Sequence, residues 1–169
     1  KVLRTGGPAY LRLGKGKETP VVELAEETSK DVENGKGVVV LPGTDVTIFT
    51  TGHIITEAIS VAKELRKQGL SVEVINIHTL KPLDTSIILE RLKTRKAIFS
   101  LEEHSIYGGL GSAVSEVISE ADSNQSPVFR RFGIGDRFTS VIGPLKTLLK
   151  NNCIDSESIA RQISRLVTL

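Results

Sequence analysis

The sequence predicts an α/β fold in which a mostly parallel sheet is covered by helices on both faces. Short β-branched runs alternate along the chain with segments whose apolar residues recur every three or four positions, which is the pattern of strands and amphipathic helices in turn. One of these runs, residues 97–101, has little polarity, as expected for a strand buried on both sides. A length of 169 residues with 39% hydrophobic content suits a single well-developed core.

The first 50 residues predict the end of one domain, a linker, and the first strands of a second domain. Residues 8–13 (PAYLRL) suit a strand, and a lysine-containing glycine turn follows them. Residues 18–36 are polar without a sustained period, which predicts a linker and a domain boundary. Residues 38–41 and 46–50 then form a close pair of β-branched runs, and this proximity favours an antiparallel first strand or a hairpin edge.

Beyond residue 50 the predicted elements alternate regularly between helix and strand. Predicted helices cover residues 54–68, 85–93, 111–121 and 156–167, and predicted strands cover residues 72–77, 97–101 and 128–134. Gly69 is a stop signal for the first helix, Asp84 or Thr85 caps the second, and Asp155 or Ser156 caps the last. Consecutive strands joined through helices imply a mostly parallel, doubly wound sheet.

The charge balance and the single cysteine limit the function classes. The net charge of +2 comes from 22 basic and 20 acidic residues spread through the chain, so we expect neither nucleic acid nor an anionic membrane as partner. Cys153 has no second thiol for a disulfide or a zinc site, which favours a reducing compartment such as the cytoplasm. The same count favours an inert structural or surface thiol over a nucleophile.

The ends and the hydropathy of the chain predict a soluble fragment. No apolar run approaches the roughly 20 residues needed to span a bilayer, and no signal-peptide pattern opens the sequence. The chain starts at Lys1 without methionine and enters a strand-like run almost at once. We therefore expect it to be part of a longer protein.

The sharpest local signal is the stretch SLEEHSIYGGLGSAVSEVISEA, in which a buried strand meets a glycine-rich bend and a helix. Its candidate residues are Glu102, Glu103, His104, Gly108, Gly109 and Gly111. Amides at such a helix entrance suit a phosphate. The spacing GGLGSA is not G-x-G-x-x-G, however, and no acidic residue is placed to hold a ribose. A tight packing joint is therefore favoured over a phosphate loop.

The carboxylates and the histidine of this stretch allow acid–base or metal-ligand roles in principle. Neighbouring residues of an extended chain point to opposite faces, so Glu102 and Glu103 do not converge on one substrate atom. His53 and His78 are single residues at strand ends, and no second histidine has ligand-like spacing. We therefore expect a satisfied structural network and no metal site.

Two cationic groups remain as phosphate candidates. Arg12, Lys15 and Lys17 surround the first glycine turn, where phosphate recognition and a solvated basic turn are equally compatible with the local sequence. A second group, near two glycines and an aspartate, favours a surface or ion-pair role. Its members are Arg130, Arg131 and Arg137.

Several separated motifs resemble, in order and spacing, the C-terminal domain of transketolase-like thiamine diphosphate enzymes. They are GTDVTIFTTG, SVEVINIHTLKPLD, LEEHSIYGGLGSAVSEVISE and RRFGIGDRF. The motif EEHSIYGGLGSAV resembles transketolase and 1-deoxyxylulose-5-phosphate synthase more than the β subunits of 2-oxoacid dehydrogenases. Since GPAYLRLGKGK resembles the end of the preceding pyrimidine-binding domain, the resemblance implies three parts: residues 1–17 from that domain, a linker at 18–36, and a C-terminal domain at 37–169.

The resemblance implies a three-layer α/β/α sandwich with a five-stranded, mostly parallel sheet and one antiparallel edge strand. It also implies a parent transferase of the pentose phosphate pathway type, which moves a two-carbon ketol unit between sugar phosphates. In that family, thiamine diphosphate and Mg²⁺ are bound by an N-terminal GDG…N motif and by a glutamate of the middle domain. Neither is present here, so we expect this fragment alone to bind no cofactor and to be inactive.

Further expectations concern substrate and partners. Family members place basic residues of the LRLGKG region against the sugar phosphate, which implies Lys15 first and Arg12 second as contacts. The expected partners are an N-terminal cofactor-binding domain or subunit, a second copy in a homodimer, and the sugar phosphate substrate. After Arg137 the sequence departs from the family pattern, so no role is assigned to the predicted loop at 138–154.

Two alternatives of other classes remain. One is a stand-alone regulatory module that holds a small anion at residues 108–111. The other is the assembly subunit of a split thiamine diphosphate enzyme, including one of the 2-oxoacid dehydrogenase β type.

Overall fold

The computed structural model describes Pro8, residues 33–122 and residues 127–167. Five strands form one sheet in these residues. The strands are β1 (Val38–Leu41), β2 (Val46–Thr50), β3 (Val72–Asn76), β4 (Ala97–Ser105) and β5 (Val128–Ile134). The helices are α1 (Ile55–Lys67), which follows a short 3₁₀ turn, α2 (Thr85–Thr94), α3 (Leu110–Ser119), α4 (Leu145–Asn151) and α5 (Ser156–Val167).

The sheet is mixed, with the strand order β1-β3-β2-β4-β5. Strand β1 is antiparallel to β3, and every other neighbouring pair is parallel. The register places Ile48 of β2 between Val74 of β3 and Phe99 of β4. The predicted fold class, including the single antiparallel edge strand, is therefore confirmed.

Apolar side chains of both helical layers pack on the two faces of the sheet. One cluster joins Ile48 and Phe99 to helices α1 and α5, and the other joins Phe49 and Ile98 to helices α2 and α3. All five residues of β2 are buried, because this central strand has helices on both sides. The alternation of a strand, which sends neighbouring side chains to opposite faces, thus builds both layers of the core.

The hairpin prediction for β1 and β2 is wrong, although β1 is the antiparallel edge strand. Strand β3 lies between the two, and β1 pairs with it in the register Val39 opposite Ile75. The short connection from β1 to β2 crosses the start of β3 at Gly43. A Cβ atom on Gly43 would lie 2.2 Å from the Val72 carbonyl carbon, so only glycine fits this crossing.

The interpretation of residues 138–154 as a loop is also wrong, because α4 lies within them. Pro144 occupies the position before its first residue, and Leu149 is the buried residue of the helix. A helix of seven residues with one buried side chain leaves little periodic signal in the sequence. Strand β4 is also longer than predicted and continues to Ser105.

The other elements agree with the predictions to within a few residues. Helix α1 ends before Gly69, whose φ is 87°. Asp84 accepts a hydrogen bond from the Ile87 amide at 3.3 Å, and Asp155 accepts one from the Ser158 amide at 3.1 Å, so both predicted caps are confirmed. The predicted strand at 8–13 and most of the linker at 18–36 lie outside the described residues. The proposed domain boundaries therefore stay predictions.

A buried ion pair lies at the opposite end of the sheet from the glycine bend, where β2 and β3 begin. Glu73 accepts hydrogen bonds from Arg91 at 2.7 and 3.0 Å and from the Thr47 hydroxyl at 2.7 Å. The hydrogen bond to Glu73 keeps the pKa of Arg91 above its usual value. This contact ties α2 to the sheet. Within the described ranges, no helix combines the length and apolar character needed to cross a membrane.

Candidate functional site at the carboxyl edge of the sheet

The carboxyl ends of the four parallel strands meet at one edge of the sheet, which we call the carboxyl edge. The 3₁₀ turn after β2, the segment at 77–84, the bend at 106–109 and the segment at 135–144 all follow strand ends there. In open α/β sheets this edge is where ligands and partners commonly bind. The candidate residues of the glycine bend therefore lie in the expected place.

Glu102 fills the entrance of α3 with its own carboxylate. One carboxylate oxygen accepts from the Leu110 amide at 2.8 Å and the other from the Gly111 amide at 3.1 Å, and the side chain is fully buried. Its negative charge lies at the amino-terminal end of the helix, where the helix dipole stabilises it. The anion site that the sequence allowed at residues 108–111 is thus occupied by an internal carboxylate.

His104 and Glu103 flank this contact differently. The His104 Nε2 atom lies 3.3 Å from a Glu102 oxygen, and its Nδ1 atom lies 2.9 Å from the Ser105 carbonyl oxygen, while much of the ring stays exposed. Glu103 is half-buried, and by strand alternation it belongs to the other face. Strand alternation thus assigns the two carboxylates to opposite faces of β4.

Gly109 permits the close approach of strand and helix. A Cβ atom there would lie 2.0 Å from a Glu102 carboxylate oxygen and 2.3 Å from His104 Cε1, so any side chain would displace the carboxylate. Gly111 is similarly close to the side chains of Ser100 and Arg131. Gly108 has a φ of 74° and donates its amide to the Ser112 hydroxyl at 2.9 Å.

Arg131 of β5 holds the bend from the side, a role that sequence reasoning missed. Its Nη1 atom donates to the Ile106 carbonyl oxygen at 2.8 Å and to the Ser112 hydroxyl at 3.2 Å. Its guanidinium also lies 5.8 Å from the centroid of the Tyr107 ring, within the range of a cation–π contact. The pairing of β5 with β4 brings Arg131 to this bend, and the local sequence carries no signal for that contact.

The other two arginines of that group take different positions. Arg130 is exposed, whereas Arg137 donates to the Asn152 side-chain oxygen at 3.2 Å and to the Asn151 carbonyl oxygen at 3.4 Å. Arg131 and Arg137 thus hydrogen-bond neutral oxygens of the chain itself. These contacts fix loops of the carboxyl edge.

The polypeptide enters the domain at the same edge. Asp84 accepts hydrogen bonds from the Gly37 amide at 3.0 Å and from the Ser86 hydroxyl at 2.5 Å, so it links the start of β1 to α2. Burial alone would raise the pKa of Asp84, but these hydrogen bonds and the Ile87 amide outweigh it and keep the pKa below its usual value. Near them, His78 Nε2 lies 3.0 Å from the Glu33 carbonyl oxygen.

The remaining candidates are a metal site, Cys153, and the basic residues Lys15 and Arg12. Across residues 33–122 and 127–167, no three side chains of histidine, cysteine, aspartate or glutamate are grouped so that they could hold a metal ion. Cys153 is exposed at the turn between α4 and α5. Lys15 and Arg12 lie outside the described residues, so their role as phosphate contacts stays a prediction.

Fold and site together define a three-layer α/β/α domain whose carboxyl edge is held by its own side chains. A family model described as "Transketolase, C-terminal domain" matches residues 35–159. The chain belongs to this family, as the sequence motifs predicted.

Individual relatives agree with this assignment. A putative transketolase C-terminal section from Methanocaldococcus jannaschii is 37% identical over 93% of this chain and 47% of the relative. A 1-deoxy-D-xylulose-5-phosphate synthase from Halalkalibacterium halodurans is 34% identical over 96% of this chain and 25% of the relative. A solved structure titled "Split gene transketolase, inactive beta4 tetramer" matches with a TM-score of 0.74 and 32% identity, over 86% of this chain and 47% of that one. The chain thus spans half or less of the length of these relatives.

Proposed function

We propose that this chain is the C-terminal portion of a transketolase-like enzyme that transfers a two-carbon ketol unit between sugar phosphates. Residues 1–17 end a pyrimidine-binding domain, residues 18–36 form the linker, and residues 37–169 form the domain described above. The chain works with an N-terminal cofactor-binding domain or subunit, as the printed names "C-terminal section" and "split gene transketolase" suggest for its relatives. In the whole enzyme, this chain contributes packing between domains and contacts to the substrate phosphate.

The hydrogen bonds within the carboxyl edge support the proposal that this chain supplies packing and that another domain supplies the chemistry. Glu102 binds the α3 amides, Arg131 binds the bend, and Arg137 binds the end of α4. Hydrogen bonds between these groups and neighbouring parts of the chain hold the loops of this edge in place. We therefore place the chemistry in another domain.

Enzymes of this family depend on thiamine diphosphate, which supplies the carbanion chemistry when bound. The described residues do not fit a site for it: they hold no three-member ligand group for Mg²⁺, and the helix entrance that suits a diphosphate already contains Glu102. We therefore assign the cofactor and Mg²⁺ to the N-terminal domain or subunit of the parent enzyme.

Calorimetric titration tests this assignment. We expect no binding heat when thiamine diphosphate and Mg²⁺ are added to this chain alone, and saturable binding once the polypeptide with the GDG…N motif is also present. Ketol transfer should appear only in that mixture or in the intact parent. Tight binding or transfer by the chain alone would contradict the proposal.

The phosphate contact has its own test in the assembled enzyme. Loss of a charge-assisted hydrogen bond is worth roughly 1.5–3 kcal/mol, so Lys15→Ala should raise the KM for the sugar phosphate by about 10- to 100-fold. Lys15→Arg should keep the affinity, because a guanidinium binds phosphate in a bidentate manner. Lys93→Ala, at an exposed position of α2, is the control, and an equal effect of both alanine variants would reject a specific contact.

A further inference from the structure

Most of the exposed large apolar side chains in the described residues lie at one edge of the sheet. Phe138 and Ile142 are fully exposed, Tyr107 is 60% exposed, and Leu145 and Leu80 are also accessible. They follow the carboxyl ends of β3, β4 and β5, and we call them the carboxyl-edge apolar surface. Val128, at the other end of β5, is separate from this set. Apolar exposure concentrated at one edge of a sheet favours an interaction site there.

Two contacts keep the segment that carries Phe138 and Ile142 at this edge. Arg137 bonds to Asn152 at 3.2 Å, just beyond the end of α4. Glu57, in the first turn of α1, accepts the Ser156 amide at 2.8 Å. Helix α1 begins where β2 ends, so Glu57 lies near the carboxyl edge. The segment between β5 and α5 therefore both begins and ends at this edge.

Tyr107 is exposed on a bend that its neighbours hold firmly. The Arg131 guanidinium fixes the Ile106 carbonyl and lies against the Tyr107 ring, and the Ile106 amide donates to the Ile134 carbonyl at 2.9 Å. A side chain already held in place loses little conformational entropy on binding. Such preorganised aromatic residues frequently dominate the binding energy of interfaces.

The point of chain entry indicates what covers this surface. The carbonyl oxygen of Glu33, the first residue of the described range 33–122, lies 3.0 Å from the Nε2 atom of His78. His78 is two positions before Leu80 in the sequence. The chain therefore enters the described range 33–122 at the carboxyl edge. The part of the proposed linker that precedes residue 33, residues 18–32, spans at most about 50 Å, so the domain before it stays within reach. Tethering of this kind gives an effective concentration in the range of about 1 mM, which favours the tethered domain over any free partner.

We propose that the carboxyl-edge apolar surface, which includes Tyr107, is the docking face for the pyrimidine-binding domain that precedes the linker. This inference rests on the proposed function, which assigns residues 1–17 to the end of that domain. The glycine bend then has an indirect role. Glu102 and Arg131 hold the backbone so that Tyr107 is presented outward.

Cysteine accessibility tests the docking face. In a Cys153→Ser background, Tyr107→Cys and Ile142→Cys are introduced separately into this chain and into the parent polypeptide with the complete upstream domain. We expect iodoacetamide to alkylate both positions at least about tenfold more slowly in the parent, because the interface excludes the reagent. Ile142→Cys changes a fully exposed residue and keeps the test valid if Tyr107→Cys fails to fold.

Lys93→Cys is the matched control, because Lys93 is exposed near the end of α2, which runs away from the carboxyl edge. Its alkylation rate should differ less than about twofold between the two proteins. Equal rates at residues 107 and 142 in both proteins would overturn the docking face. Slowing that appears in this chain alone as its concentration rises would also overturn it, in favour of a second copy. Labelling needs no cofactor, so its result does not depend on the result of the calorimetric test, and failure of the docking face can be distinguished from failure of the proposed function.

Discussion

Glu102 is a buried charge whose partners are backbone amides. The Glu102→Gln variant keeps the size of the side chain but turns an amide group toward N–H donors. We expect it to lower the free energy of unfolding by about 2–3 kcal/mol, because a buried donor loses its acceptor. Urea denaturation measures the change. The half-buried neighbour Glu103 provides the control: Glu103→Gln should change stability by less than about 0.5 kcal/mol, and equal effects would contradict a specific role for Glu102.

Gly109 and Gly135 lie at the same edge but differ in the space around them. A Cβ atom at 109 would overlap the Glu102 carboxylate, whereas one at 135 would meet nothing within 4 Å. We therefore expect Gly109→Ala to destabilise the fold by about 2–4 kcal/mol. Gly135→Ala should be neutral or slightly stabilising. Thermal unfolding followed by circular dichroism compares the two, and similar melting temperatures would show that the bend tolerates a side chain.

The sequence predicted a packing joint at the glycine bend, but not which side chains contact the bend. The failed nucleotide-binding spacing and the opposed carboxylates favoured a structural role. Which atom fills the helix entrance depends on how far β4 extends, because only a strand that reaches Ser105 places Glu102 beneath the Leu110 amide. Arg131 was also out of reach of sequence reasoning, since its contact requires β5 to lie beside β4.

At the scale of elements, strong periodicity was enough for prediction and weak periodicity was not. Helices α1 and α5 follow the predicted spans to within one residue, because each presents a repeated apolar face, and strand β5 has the predicted bounds. Strand β1 was correctly placed, but its neighbour was not, because sequence proximity favours a hairpin. The crossing over β3 is a tertiary arrangement that requires Gly43 to fit against Val72.

Helix α4 offers a comparison within one element. Leu149 packs in the core beside α1 and α5, whereas Leu145, one turn earlier, is exposed. Leu149→Ala should cost about 2–4 kcal/mol of stability, because it leaves a cavity. Leu145→Ala should change it by less than about 0.5 kcal/mol. If chemical denaturation finds the two variants alike, then α4 does not dock as described.

At the scale of the whole molecule we expect sensitivity to acid, because three aspartates among the described residues have pKa values below the usual one. The Asp45 pKa is lowered first by a hydrogen bond from Lys96. For Asp84 and Asp155, burial acts to raise the pKa and is outweighed by hydrogen bonds, mainly from Ser86 and Ser158. A lowered folded-state pKa stabilises the fold above the unfolded pKa of about 4, and this contribution is lost as the pH falls through the folded value.

We therefore expect the free energy of unfolding to fall as the pH is lowered from about 6 to about 3. Asp84→Asn should cost about 1–2 kcal/mol at neutral pH, and this difference from the unmodified chain should shrink in acid. Ser86→Ala removes one of the bonds to Asp84 and should show a smaller effect of the same sign. Urea midpoints across this pH range measure both, and a deficit that stays constant with pH would exclude the carboxylate as its source.

The crossing of β1 over β3 also has a consequence for the order of folding. Strands β1 and β2 are neighbours along the chain, yet β1 finds its hydrogen-bonding partner only after the chain has passed through β2 and α1 and returned as β3. Edge pairing must therefore wait for a contact between residues more than 30 positions apart, such as Val39 and Ile75. In pulse-labelled refolding we expect the β1 amides to gain protection after those of β2, so that the domain completes its sheet at the strand through which the polypeptide enters.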